Sequence, residues 1–127
     1  MTTAASTITG VDFVTIPAED FEASVHFYGS VLGLPPVKRW GEMPAAEFQA
    51  GNLTLAVMDP TAFGQELRPH GLPIALQVDD VATARAHLEA LGVSFVGDTI
   101  DSGVCHQAIF HDPAGNVLGI HHRYAPA

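Results

Sequence analysis

Basic residues are scarce in this chain: five lysines and arginines stand against 14 aspartates and glutamates, for a formal net charge of −9 over 127 residues. A protein that neutralises phosphates needs a basic face, so this balance argues against a nucleic-acid partner. It disfavours an anionic membrane surface for the same reason. Cysteine is rarer still. Cys105 is alone and cannot close an internal disulfide, which excludes a disulfide-stapled secreted fold. No apolar run approaches the ~20 residues of a membrane span. The opening Met1-Thr-Thr-Ala-Ala-Ser-Thr7 has neither a basic flank nor a long apolar stretch, so no secretory leader is expected and a cytoplasmic location is. What the chain does have is apolar material: 47% of its residues are apolar and 15% charged, enough for a real core. Its length predicts a single domain, residues 1–127, at roughly one domain per 100–200 residues.

The chain repeats itself weakly. Phe13-Val-Thr-Ile-Pro-Ala-Glu-Asp20-Phe21 leads into a helical pattern ending near Leu32-Gly33-Leu34, and Pro73-Ile-Ala-Leu-Gln-Val-Asp-Asp80-Val81 leads into another ending at Leu91-Gly92-Val93. Asp20 and Asp80 suit helix N-caps, and Gly92 suits the position just past a helix. Phe21, Val25, Tyr28 and Leu32 share one face of the first helix; Val81, Ala84, Leu88 and Leu91 share one face of the second. Strands are expected at 11–16, 37–40, 46–50 and 52–58, and again at 74–78, 94–96, 104–110 and 117–123. Asp112-Pro113-Ala114-Gly115 is a turn signal between the last two. Each half is thus βαβββ: module one is 8–62, module two is 71–124, and 63–71, with Gly64, Pro69 and Gly71, is a surface linker. Neither half can bury a good core alone, so the two should pack into one α+β unit.

Two segments carry a family resemblance. Asp12-Phe-Val-Thr-Ile-Pro-Ala-Glu-Asp-Phe-Glu-Ala-Ser-Val-His-Phe-Tyr28 followed by Leu32-Gly-Leu34 resembles the opening of a vicinal oxygen chelate protein, and Phe110-His-Asp-Pro-Ala-Gly-Asn-Val-Leu118 resembles that superfamily's closing hairpin. The superfamily includes glyoxalase I, extradiol dioxygenases, fosfomycin resistance enzymes and bleomycin resistance proteins. The resemblance implies paired βαβββ modules whose curved mixed sheets wrap a cavity, and a homodimer. Metal-dependent members carry four ligands, typically His, Glu, His and Glu, because a divalent cation polarises adjacent oxygens. Carried over one by one, those positions are Phe13, Ala56, Pro73 and Gly119. None has a side-chain donor. No metal is therefore expected at the family site, a divalent metal remaining possible only elsewhere. Apolar residues at these positions instead favour a hydrophobic or aromatic ligand, with Phe13, Ala56, Pro73 and Gly119 lining its pocket.

Seven histidines remain to be placed. His26 and His87 fall on helices away from the apolar stripes, and His70 and His111 beside turns, so surface positions are expected for all four. If the last hairpin turns tightly through Asp112 to Gly115, opposed residues have numbers summing to 227, which pairs His106 with His121 and Ala108 with Gly119. Opposed residues face the same side of a sheet. His106 and His121 are then either cavity-facing acid/base candidates or hydrogen-bonded structural histidines at the strand ends, unless a β-bulge shifts the register. Cys105 points the other way, as a buried thiol. Trp40, beside Lys38 and Arg39, lies in a segment that in the resembled family often borders the pocket mouth; it either stacks on a flat ligand there or simply packs on an edge strand. Three functions are in play: metal-free sequestration of a small molecule like the bleomycin resistance branch, a lyase or isomerase using the histidines or another metal site, and a dimer with a vestigial cavity. The first is preferred because the cavity is kept while the ligand set is lost.

Overall fold

The computed structural model describes residues 6–126. Most of the opening segment read above for a leader lies outside them. The first half runs β1 (Phe13–Pro17), α1 (Phe21–His26), a π-helical turn (Phe27–Val31), β2 (Pro36–Arg39), β3 (Ala45–Ala50) and β4 (Leu53–Met58). A 3-10 turn at Pro60–Phe63 leads toward the second half: β5 (Ile74–Gln77), α2 (Val81–Ala90), β6 (Phe95–Asp101), β7 (Cys105–His111) and β8 (Val117–Arg123). Each half forms a four-stranded mixed sheet. The orders are β1-β4-β3-β2 and β5-β8-β7-β6, so the sequence repeat is a structural one. The first and last strands of each half pair in parallel and the remaining neighbours are antiparallel. Among the described residues no helix is long and apolar enough to cross a membrane.

Both helices start where the sequence places them. Asp20 accepts from the Ala23 amide at 3.2 Å, and Asp80 accepts from the Thr83 amide at 2.9 Å, each satisfying a free N–H of the first turn. The Thr83 hydroxyl also donates to Asp80, and these bonds hold that carboxyl below the usual carboxylate range. The first helical stripe packs on the core through Tyr28, Phe21, Val25 and Leu32. Leu91 departs from its expected place. It ends α2 and is 49% exposed, and Val93, two residues on, takes the buried position beyond the Gly92 reversal.

One side of each sheet faces the helices and the core; the other is left open. On the core side lie Ile16, Phe48, Leu55 and Val57 from the first half and Ala108, Phe110, Leu118 and Ile120 from the second. These strands alternate with period two, so Phe13, Thr15, Glu47 and Ala56 point to the opposite, concave side of sheet one. The two halves meet around the π-helical turn that continues α1. Phe27 and Phe110 lie 6.2 Å apart between ring centres, and the Tyr28 hydroxyl donates to Asp112 at 2.5 Å. Burial and the neighbouring carboxylate both push the Tyr28 hydroxyl far above its ordinary pKa, so it keeps the proton that it donates to Asp112.

The linker is tied down at its end. The His70 amide donates to the Asn116 side chain at 2.8 Å, the His70 carbonyl accepts from Val117, and its Nε2 lies 2.7 Å from the Thr15 carbonyl. His70 therefore clamps β1 to the closing hairpin rather than sitting free on the surface.

Candidate functional site

The concave side of sheet one carries a cavity of about 450 Å³. Its floor is the cross-strand row Thr15–Ala56–Glu47, fixed by the β1–β4 and β3–β4 registers. Phe13, Met58, Trp40, Met43 and Phe63 form its walls. Trp40 arrives just past β2, and Met43 comes from the turn between β2 and β3. Phe63 hangs from the 3-10 turn that Asp59 caps by accepting from the Thr61 amide at 2.9 Å. Trp40 thus lines the cavity. Phe13 and Ala56 face the cavity; Gly119 lies in the other sheet and Pro73 just before that sheet's first strand, and neither lines it.

Register in the last hairpin differs from the sequence-based expectation. Gly115 adopts the left-handed region at φ +89°, the Gly115 amide donates back to the Asp112 carbonyl, and the Asp112 amide donates to the Asn116 carbonyl at 3.0 Å. The turn therefore carries one residue more than the tight form. Paired residue numbers sum to 228: His106 faces His122, Gln107 faces His121, and Ile109 faces Gly119. A one-residue shift turns every side chain over. His106 and His121 consequently lie on opposite sides of sheet two, not on the same side.

His121 keeps the concave side, two residues beyond Gly119. It stands between Gln77 of β5 and Gln107 of β7, a three-strand polar row. His106 lies on the other side in an exposed group at the sheet end. Its ring stacks on Tyr124 at 4.6 Å, and its Nε2 is 3.3 Å from Asp101. The Tyr124 hydroxyl donates to the same carboxylate at 2.6 Å, which holds Asp101 below the usual carboxylate range and pushes the Tyr124 hydroxyl up. Cys105 shares the concave side with Gln107 and is half-buried.

The four positions that the family resemblance carries over as metal ligands do not suit a cation. The side chains of Phe13, Ala56, Pro73 and Gly119 supply no donor atoms. At Gly119 the space is already used: a Cβ there would lie 2.9 Å from Gln107 Nε2 and 3.3 Å from Ile109 Cδ1. Among the described residues no group of three or more His, Cys, Asp or Glu side chains is placed to hold a metal ion. Because the nearest obstacle is the tip of a flexible side chain, Gly119→Ala is expected to cost only about 1 kcal/mol. The Gln107 side-chain amide should shift in an NMR spectrum while urea unfolding stays cooperative.

Sequence reasoning missed Glu47, Met43, Phe63 and the two glutamines. Glu47 was within reach. The Gly51-Asn52 turn predicts pairs summing to 103, which sets Glu47 opposite Ala56. Met43 and Phe63 lie in turns whose direction no periodicity reports.

The fold has parallels among solved structures. The chain matches a lactoylglutathione lyase from Agrobacterium tumefaciens with a TM-score of 0.73 at 20% identity, over 91% of this chain and 95% of that one. It matches a glyoxalase/bleomycin resistance protein/dioxygenase from Nocardioides with a TM-score of 0.78 at 20% identity, over 97% and 89% of the two chains. At this identity both likenesses concern the fold alone. TnmS3, an antibiotic binding protein from Streptomyces sp. CB03234, matches with a TM-score of 0.76 at 25% identity, over 97% of this chain and 100% of that one. No curated protein matches. The model of one protein family covers residues 10–120, and with the repeated βαβββ sheets this establishes that the chain belongs to the Glyoxalase/Bleomycin resistance protein/Dioxygenase superfamily.

Proposed function

We propose that this protein binds a small apolar or aromatic organic molecule on the concave side of sheet one, without a metal and without breaking a bond, in the manner of a sequestering resistance protein. The observation that carries this is the cavity itself: about 450 Å³ walled by Phe13, Trp40, Met43, Met58 and Phe63, with apolar residues at both inherited metal positions it contains. Ligand pockets are mostly apolar surfaces of this size with a few placed polar groups. The likeness to an antibiotic binding protein supports the same reading.

The cavity is open in a single chain. Phe13, Trp40, Met43 and Phe63 are 53%, 38%, 50% and 40% exposed, a cluster of large apolar side chains that a monomer rarely leaves in water. We therefore propose a cytoplasmic homodimer, in which a second copy covers this face.

Trp40 is the chain's only tryptophan, so its fluorescence reports occupancy directly. A panel of aromatic compounds should change Trp40 emission saturably, and the bound compound should be recovered unchanged by mass spectrometry. Absence of any saturable response would remove this reading, and recovery of a converted product would replace it.

A lyase or isomerase reading is favoured by one observation, the placing of His121 between Gln77 and Gln107 on the concave side of sheet two. An imidazole held there can take or return a proton. If the protein is an enzyme, His121→Ala should lower turnover by about 100-fold or more, whereas His106→Ala, on the opposite side, should leave it intact.

A further inference from the structure

Among the described residues, one ionisable side chain lines the cavity. Glu47 sits in the middle of β3, half-buried, directly across from Ala56 on the floor. Among the described residues its carboxylate makes no hydrogen bond and no ion pair; the ion pairs present are Arg39–Glu22, Arg68–Glu66, Arg85–Glu89 and His106–Asp101. A carboxylate kept on apolar surface without a partner is costly, and the cost is offset when an opposite charge arrives.

A cation does lie at the rim of the same cavity, and it is the chain's own. Lys38 pairs with Glu47 across the β2–β3 ladder. Its ammonium turns away from that carboxylate and sits over the Trp40 ring, 5.0 Å from the centroid. That distance is within the reach of a cation–π contact. A positive charge is thus stable over the indole, while the carboxylate beside it is left unpaired. The net charge of −9 adds long-range attraction for cations.

Building on the proposed aromatic-ligand cavity, we infer that its ligand carries a positively charged nitrogen, which Glu47 pairs with and the Trp40 face receives, with Lys38 swinging out to solvent as the ligand enters. The ligand class is an aromatic or apolar amine, protonated at neutral pH. An anionic ligand is disfavoured, because it would bring a second negative charge beside Glu47.

Matched probes test this. 2-(Naphthyl)ethylammonium and 2-(naphthyl)ethanol differ in charge and share their apolar body. Binding is followed on the single indole N–H signal of Trp40 by NMR and by calorimetry. The ammonium should bind the native protein about tenfold more tightly than the alcohol, as expected of one charge-assisted pair with a cation–π contact. Glu47→Gln should bring that ratio to about one. Lys38→Met should raise the affinity for the ammonium, since it removes a competing cation. If both probes bind native protein equally, or if Glu47→Gln leaves the ratio unchanged, the inference fails while the apolar cavity stands. If neither probe binds, the cavity proposal and this inference fail together.

Discussion

Asp112→Ala should destabilise this protein by roughly 3–5 kcal/mol, because it strands several buried donors at once. The carboxylate accepts four hydrogen bonds: from the Tyr28 hydroxyl at 2.5 Å, Asn116 Nδ2 at 2.8 Å, and the amides of Asn116 at 2.9 Å and Ala114 at 3.0 Å. Asp112 is 5% exposed and Asn116 is fully buried, so water cannot replace what is lost. The network also holds the two halves together. Tyr28 belongs to the first helix, and Asn116 Nδ2 reaches the Pro17 carbonyl at the end of β1 at 2.7 Å. Urea unfolding should show the loss, with a melting temperature lower by roughly 10 °C or more. Tyr28→Phe removes one donor and leaves the others paired, so it should cost only about 1–2 kcal/mol. The double variant should cost less than the sum of the two, since the partners share one network. A loss below about 1 kcal/mol for Asp112→Ala would mean that the halves are held by apolar packing alone.

Ala56→Trp should abolish ligand binding while leaving folding nearly untouched. Ala56 is the centre of the cavity floor, between Thr15 and Glu47. An indole there occupies much of the 450 Å³ available to a ligand. Overpacking of about 3 kcal/mol against a bound molecule corresponds to a loss of about 100-fold in affinity. The concave side is open, so the new side chain has room without a ligand, and the core on the far side of β4, Leu55 and Val57, is not touched. The measurement is a titration of the best aromatic ligand beside a thermal melt. Unchanged affinity would place the ligand elsewhere, and a collapsed melt would show that the position is structural. Either result is informative because the two sides of this strand have separate tasks.

Much of the fold was legible because it rests on local chemistry. Asp20 and Asp80 cap helices through bonds that span only three residues, and Gly92 ends one through its left-handed backbone. The repeat reports itself in sequence for the same reason: each βαβββ half must bury the same kind of face. Site geometry was less legible. The side on which His106 lies depends on whether one hairpin contains one residue more or less. Asp112-Pro113-Ala114-Gly115 reads as a turn in either case, and only the φ of Gly115 and the Asp112–Asn116 pairing choose between them. Met43 and Phe63 reach the cavity from turns, where no alternation marks an inward side chain.

The sequence by itself determined the class of this protein: an acidic α+β chain of two βαβββ halves. Those properties follow from composition, capping and periodicity, which act over a few residues. Only the tertiary structure decided which side chains share a surface. It set Glu47, unpaired, on the floor of an aromatic cavity, His121 between two glutamines, and His106 on the far side of its sheet. The physical reason is the period of two along a strand. It makes the direction of every side chain depend on a register that long-range pairing sets.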